Sequence, residues 1–329
     1  MLKLSVLDQS MAQGRHKGAQ ALQETLEMAK WSETLGYERF WVSEHHAFDS
    51  VAGSAPEVLL AALGAVTNTI RLGSGGIMLP HYSAYKVAEV FSVLSNLYPG
   101  RIDLGVGRAP GADISTAKAL ATDGHPKFEA FPRLVAQLSE YLWEENTHPI
   151  ISPKPAGDIP IWMLGSSLDS TQLAAKRGLP YNLAAFINPQ VQPAFMEYYR
   201  EHFKPSPSCS QLYSMLTISV FCADTQERAE MLAKAFDINF YRFITGQKQG
   251  SFLTPEEAAL YPITPQLADF MKSRSVLRAV GTQDKVKEKI TNIAQQYELD
   301  EIMIVSNIYY LEDRKRSFEL IKSAFSDEI

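Results

Sequence analysis

Four short segments of the 329-residue chain each end an apolar run with residues that could bind or react. An imidazole can move a proton near neutral pH, and glycine lets a flat ligand lie against the backbone. A guanidinium or a helix N-terminus can hold a phosphate. These groups together would suit a phosphorylated cofactor with a proton-transfer group beside it. The segments are Arg39–His46, Arg71–Gly76, Arg101–Arg108 and Pro160–Ser167.

The first segment ends in Glu44, His45 and His46. Neighbouring residues on an extended strand face opposite ways, so the two histidines are poorly placed to bind one metal ion. One of them could point into a cleft and act as a proton donor or acceptor. Alternatively, both are hydrogen-bonded histidines at a strand end. The motif alone leaves these two interpretations open.

The second segment supplies Ser74, Gly75 and Gly76. It is not the dinucleotide-binding fingerprint, because Ile77–Pro80 rather than a helix follows the glycines. The glycines could back a flat ligand or simply form a tight turn. In the third segment the glycine spacing also fails that fingerprint, and Arg108 is either a phosphate ligand or a surface arginine.

The fourth segment supplies Gly165, Ser166 and Ser167 ahead of a helical pattern, with Ser170 one turn further on. Exposed amides and hydroxyls at a helix start form a natural anion site. Plain capping, with Asp169 or Ser170 as the cap, would need no ligand. The phosphate interpretation gains support because this turn and the preceding arginine segment follow neighbouring predicted strands.

The elements that must bring these residues together alternate along the chain. Short links between strand and helix patterns predict a parallel α/β sheet, either open and doubly wound or closed. Eight units, with polar tails on strands two to five, favour a (β/α)8 TIM barrel whose strand ends meet at one mouth. The predicted strands are Lys3–Asp8, Arg39–Ser43, Arg71–Met78, Arg101–Val106, Pro160–Leu164, Tyr181–Ala185, Leu216–Ala223 and Glu301–Ser306.

Two stretches, 109–159 and 246–282, lack this rhythm and are predicted lids or insertions in βα loops. The second is the least regular, with Pro255, Pro262 and Pro265. No linker, repeat or low-complexity tract divides the chain, so residues 1–329 are predicted to form a single domain.

Composition narrows the functional class. The chain is 46% hydrophobic and 21% charged, which is ordinary for a soluble globular protein. Its net charge of −6 argues against nucleic acid or an anionic membrane as partner. The N-terminus begins as a strand rather than a signal peptide, so a cytoplasmic location is expected. Cys209 and Cys222 form neither a disulfide framework nor a metal-binding spacing.

At these same residues the chain resembles the bacterial luciferase-like flavin monooxygenase family. The similar pieces occur in family order and extend to the last predicted strand. They are Trp41–His46, Leu72–Pro80, Tyr98–Arg108, Gly165–Ser167, Ala174–Pro180 and Asp300–Ile304.

The resemblance implies a (β/α)8 barrel, usually dimeric, that binds reduced FMN. It also implies reaction of the flavin with O2 to a C4a-peroxyflavin, which inserts one oxygen atom into a small organic substrate. Reduced FMN would come from a separate NAD(P)H-dependent flavin reductase. A homodimer is expected.

The resemblance also assigns roles to residues. Arg108, Ser167 and Ser170 would hold the phosphate, and Gly165 and Ser166 belong to the same turn. Gly75–Gly76, preceded by Ser74, would match a non-prolyl cis peptide under the flavin ring. His45 would match the catalytic histidine, and Glu44 its polar neighbour.

Two residues depart from the luciferase pattern. Gly107 stands where luciferase has a reactive cysteine, and Ser166 where it has a glutamate. An aldehyde substrate and light emission are therefore not expected. Two alternatives to a monooxygenase stay open: an F420-dependent oxidoreductase of the same barrel superfamily, and a non-catalytic flavin-binding protein. No basic cluster in the sequence suits the longer F420 tail.

Overall fold

The computed structural model describes residues 2–13, 17–121, 123–207, 209–246 and 252–326. Strands and helices alternate along it, as the sequence pattern predicts. The strands are β1 Lys3–Asp8, β2 Arg39–Val42, β3 Arg71–Met78, β4 Ile102–Gly107, β5 Ile161–Gly165, β6 Tyr181–Ala184, β7 Ser214–Cys222, β8 Arg278–Gly281 and β9 Glu301–Val305. The helices are α1 Gly18–Thr34, α2 Pro56–Val66, α3 Ala84–Leu97, α4 Ile114–Leu120, α5 Phe131–Trp143, α6 Leu168–Arg177, α7 Pro193–His202, α8 Gln226–Ile244, α9 Pro255–Ala259, α10 Pro265–Arg274, α11 Gln283–Tyr297 and α12 Leu311–Ala324.

Eight of these strands close into a parallel barrel. Strands β1 to β7 pair in sequence order, β7 pairs with β9, and β9 returns to β1. The eight predicted strands are the eight barrel strands, so the predicted (β/α)8 fold is confirmed. In such a barrel every carboxyl strand end opens at the same face, which gathers residues that are distant in sequence.

The sequence pattern did not predict strand β8 or the two helices before it. Segment 246–282 was predicted to be the least regular part of the chain, but two helices and a strand lie within its described residues 252–282, and residues 247–251 lie outside the described residues. Pro255 and Pro265 stand in the first turn of α9 and α10. A backbone N–H at that position would have no acceptor within the helix, so its absence in proline costs no hydrogen bond. Thr254 and Thr264 cap the two helices, and β8 then pairs with the last four residues of β7.

A buried ionic network fills the amino-terminal end of the barrel. Arg39, at the start of β2, donates from Nε to Glu301 of β9 at 2.8 Å and from Nη1 to Asp103 of β4 at 2.8 Å. Its guanidinium lies 4.9 Å from the Trp162 ring centroid. These groups plug one end of the barrel, so the opposite face is the one open to ligands. No helix within the described ranges is long and apolar enough to cross a membrane.

Candidate active site

Two adjoining cavities open at the carboxyl ends of the strands. The larger, about 530 Å³, lies over β3, β4 and β5, and the smaller, about 310 Å³, lies between the end of β2 and helix α8. Phe186 and Ile187, which follow β6, line both cavities. A molecule in one cavity can therefore approach a molecule in the other at this shared wall.

The larger cavity brings together most of the predicted cofactor residues. Residues from three separate βα units meet here, across 95 positions of sequence from Gly75 to Ser170. The predicted residues that line it are Gly75, Gly76, Arg108, Gly165, Ser166, Ser167 and Ser170.

Two glycines at the irregular centre of β3 form part of the cavity wall. The Gly75–Gly76 peptide is cis, as the family resemblance implied. A Cβ on Gly75 would lie 2.6 Å from Leu7 Cδ1, and one on Gly76 would lie 2.8 Å from the Gly105 carbonyl oxygen. The backbone contact excludes a side chain at Gly76, and a side chain at Gly75 would displace Leu7. With glycine at both positions, this part of the wall is flat. Ser74 lines neither cavity, because its buried hydroxyl donates to the Gly105 carbonyl at 2.9 Å.

A cationic end of the larger cavity forms between β4 and α6. The Arg108 side chain is 54% exposed, and its Nη1 lies 3.7 Å from Asp169 Oδ2. Ser167 is the N-cap of α6, in place of the Asp169 or Ser170 expected for plain capping. Ser170 Oγ donates to the Ser167 carbonyl at 2.7 Å and lies 3.0 Å from the Tyr181 hydroxyl.

This donor set fits a phosphate. The guanidinium of Arg108 is accessible, and the start of α6, which lines the same cavity, adds the partial positive charge of a helix N-terminus. Among the described residues, Arg108 is the one cationic side chain lining the larger cavity, and Asp169 the one acidic side chain. A flat glycine wall beside a cationic end suits a flat cofactor that carries a phosphate group.

His45 lines the smaller cavity, not the larger one. Its Nδ1 lies 3.1 Å from Ser43 Oγ, which leaves Nε2 for a ligand. The pKa of His45 is lowered to about 4, chiefly by burial; the nearby Glu44 charge opposes this shift and the adjacent His46 adds to it. The imidazole is therefore neutral at pH 7 and can accept a proton from a group in the cavity.

Glu44 is fully buried and lines neither cavity. Its Oε1 accepts hydrogen bonds from His46 Nε2 and from the Tyr82 hydroxyl, both at 2.7 Å. Its Oε2 accepts from the Met78 backbone N–H at 2.8 Å. Glu44 thus ties the end of β2 to the end of β3, and it supports the site without touching the cavity.

The sequence patterns missed several lining residues. Asn182 of β6 and Thr217 of β7 line the larger cavity and bond to each other, Thr217 Oγ1 donating to Asn182 Oδ1 at 2.8 Å. Both are polar residues inside predicted strands, which is a signal for a barrel interior that could have found them. Arg274 and Phe240 line the smaller cavity from α10 and α8, and no periodic signal places them there.

Comparison with known proteins gives consistent matches over the whole chain. The family model for luciferase-like monooxygenases matches residues 2–298. The chain is 36% identical to the luciferase-like monooxygenase of Escherichia coli strain K12, over 97% of this chain and 96% of the relative. It is also 36% identical to the N-acetyl-S-alkylcysteine monooxygenase of Bacillus subtilis strain 168, over 98% of both chains.

Solved structures agree with this match. The crystal structure of apo-MsnO8 superposes with a TM-score of 0.92 at 36% identity, covering 99% of this chain and 98% of the other. More distant structures share the fold alone. They include the oxygenating constituent of 3,6-diketocamphane monooxygenase in complex with FMN (20% identity, TM-score 0.71) and an F420-dependent secondary alcohol dehydrogenase (14%, TM-score 0.66).

Proposed function

Because the chain belongs to the luciferase-like monooxygenase family, we propose that it is a monooxygenase that uses reduced FMN and O2. One observation carries the proposal. A cavity with a flat glycine wall and a cationic end adjoins a second cavity that contains His45. When bound, reduced FMN would react with O2 and supply the activated oxygen atom that is transferred to an organic substrate.

The residues of the larger cavity would bind and orient the cofactor. Arg108 and the first turn of α6 hold the phosphate, and Gly75–Gly76 lie against the flavin ring. The Asp169 carboxylate lies 3.7 Å from the Arg108 guanidinium. A bound phosphate would have to replace part of this ion pair. A single cationic side chain, among the described residues that line this cavity, suits FMN better than F420, whose longer tail carries further negative charge.

His45 would act at the wall of the second cavity. Its neutral imidazole takes a proton from the reacting substrate at Nε2 and returns it, while Ser43 holds Nδ1. Phenylalanine side chains around this cavity exclude water from the reaction. We further propose, as the family resemblance implies, a homodimer in the cytoplasm supplied by a separate NAD(P)H-dependent flavin reductase.

Two measurements test the proposed function. Anaerobic titrations with reduced FMN and reduced F420 should give binding of FMN and at least tenfold weaker binding of F420. A screen of small metabolites with reduced FMN and ¹⁸O2 should then yield a product with one ¹⁸O atom. Tight F420 binding without FMN binding would favour an F420-dependent oxidoreductase. FMN binding with neither labelled product nor altered flavin oxidation would favour a flavin-binding protein.

A further inference from the structure

The smaller cavity is largely aromatic. Phe48, Phe236, Phe240 and Phe243 line it, and Phe186 stands at its boundary with the larger cavity. The Phe48 and Phe243 rings meet edge to face at 5.0 Å between centroids. This lining would favour the apolar part of a ligand, at a volume of about 310 Å³ that admits only a small molecule.

One arginine interrupts this aromatic surface. Arg274, the last residue of α10, lines the cavity and lies 4.8 Å from the Phe240 ring centroid and 5.7 Å from that of Phe236. Its Nη2 donates a long hydrogen bond of 3.4 Å to the Phe186 carbonyl. Its Nε is buried and has no hydrogen-bond partner among the described residues.

The charge of Arg274 is only partly neutralised by the protein. Its nearest carboxylate is Asp237, with Nε and Oδ1 3.5 Å apart. Asp237 is already bound at both oxygens by Arg278, at 2.7 and 2.9 Å. Two guanidinium groups therefore share one carboxylate. Burial and the nearby Arg278 lower the pKa of Arg274 and outweigh the opposing effect of Asp237.

The other charged side chains of the cavity lining form a closed pair. Arg314 Nη2 donates to Glu24 at 2.8 Å, and Asp8 lies 3.7 Å from Nη1. Two carboxylates surround this guanidinium, so it adds no net positive charge. His45 is neutral at pH 7. Among the described residues that line this cavity, Arg274 is thus the cation whose charge is not fully neutralised by neighbouring carboxylates.

We propose that the smaller cavity binds a small organic carboxylate, with the carboxylate on Arg274 and the apolar body among the phenylalanine rings. That this carboxylate is the substrate of the enzyme rests on the proposed function. Arg274 binds the Phe186 carbonyl, and Phe186 separates the two cavities. The carboxylate would therefore lie near the wall that faces the flavin, with the apolar body beside His45 and Phe48.

Matched ligands of equal length test the charge preference. Heptanoate, 1-heptanol and heptylamine are titrated calorimetrically into the full chain, with and without FMN. Heptanoate should bind at least tenfold more tightly than 1-heptanol, and heptylamine more weakly than either. Arg274→Gln should remove the heptanoate preference and leave the affinity for 1-heptanol within twofold. Arg274→Lys, which keeps the charge but loses the planar fork, should retain part of it.

Arg316→Gln is the matched control, because Arg316 is an exposed arginine of α12 paired with Asp224 and Glu319. It should leave all three affinities unchanged. Equal binding of heptanoate and 1-heptanol by the unaltered chain would overturn the proposal, as would an equal loss of both ligands in Arg274→Gln. The FMN-free titration separates this result from the proposed function. A carboxylate preference without FMN binding would support the anion site and contradict the monooxygenase.

Discussion

The neutrality of His45 has a measurable consequence for stability. Burial lowers its folded-state pKa to about 4, whereas an unfolded histidine titrates near 6.5. Between these two pH values, His45 is protonated in the unfolded chain and neutral in the folded chain. The unfolding free energy is therefore not reduced by this group above pH ~6.5, and it decreases as the pH falls from ~6.5 toward 4.

Replacing His45 should accordingly flatten the acid limb of the stability curve. We expect His45→Gln to lose less unfolding free energy between pH 7 and pH 5 than the unaltered chain, as measured by urea denaturation. His202→Gln serves as control, since His202 is exposed on α7 and should leave the curve unchanged. An unaltered pH slope in His45→Gln would show that the imidazole titrates normally in the folded state.

The phosphate role proposed for Arg108 can be tested with a ligand that lacks the phosphate. Arg108→Gln should weaken FMN binding by roughly 10- to 100-fold, the range for a charge-assisted hydrogen bond, and leave riboflavin binding unchanged. Fluorescence titration of both flavins measures this. Arg133→Gln, on an exposed position of α5, is the control variant. A parallel loss of FMN and riboflavin affinity would mean that Arg108 shapes the cavity rather than binding phosphate.

Asp169 should act in the opposite direction. Its carboxylate lies 3.7 Å from Arg108 on the exposed rim of the cavity, where ion pairs are weak. Asp169→Asn should release the guanidinium and tighten FMN binding by about two- to fivefold, with riboflavin again unaffected. Weaker FMN binding in this variant would instead make Asp169 a necessary part of the helix start.

The elements of the site are held together by groups outside the cavities. Glu44 connects β2 to the Met78 amide at the end of β3 and also accepts from His46 and Tyr82. Glu44→Gln removes the charge that supports these donors and should lower the unfolding free energy by about 1–3 kcal/mol.

Urea denaturation of Glu44→Gln, compared with Glu312→Gln, checks this effect. Glu312 is 85% exposed, and its ion pair with Lys315, at 3.4 Å, lies at the surface. Its substitution should therefore change the unfolding free energy little. FMN binding should also weaken in Glu44→Gln, because β3 carries the Gly75–Gly76 wall. Equal stability of the two variants would contradict the connecting role of Glu44.

The sequence predicted the strands and helices whose formation depends on short-range hydrophobic patterns and turn residues. The eight barrel strands were predicted because each is an apolar run bounded by turn residues. Strand β8 was missed because it lies in the segment whose prolines suggested irregular chain, and because it stands outside the barrel, paired among the described strands with β7 alone. Helices α9 and α10 were missed because Pro255 and Pro265 suggested irregular chain. The Thr-Pro pairs at 254–255 and 264–265 were the overlooked start signals.

Barrel closure explains which site residues were predictable in the whole molecule. Residues just beyond predicted strands, such as His45 and Arg108, could be assigned to the open face from topology alone. Arg274 could not, because it reaches the site from the end of α10 in an inserted segment. The pairing of Arg39 with Glu301 spans 262 positions and likewise leaves no local trace.

Flavin oxidation by O2 tests the monooxygenase proposal most directly. The protein is loaded anaerobically with reduced FMN and mixed rapidly with oxygenated buffer while the absorbance of oxidised flavin is followed. We predict that this absorbance appears after a lag and at least tenfold more slowly than for free FMN, because the cavity protects the oxygen-reactive flavin from water. Oxidation at the rate of free FMN, with the flavin shown to be bound, would contradict the proposed function.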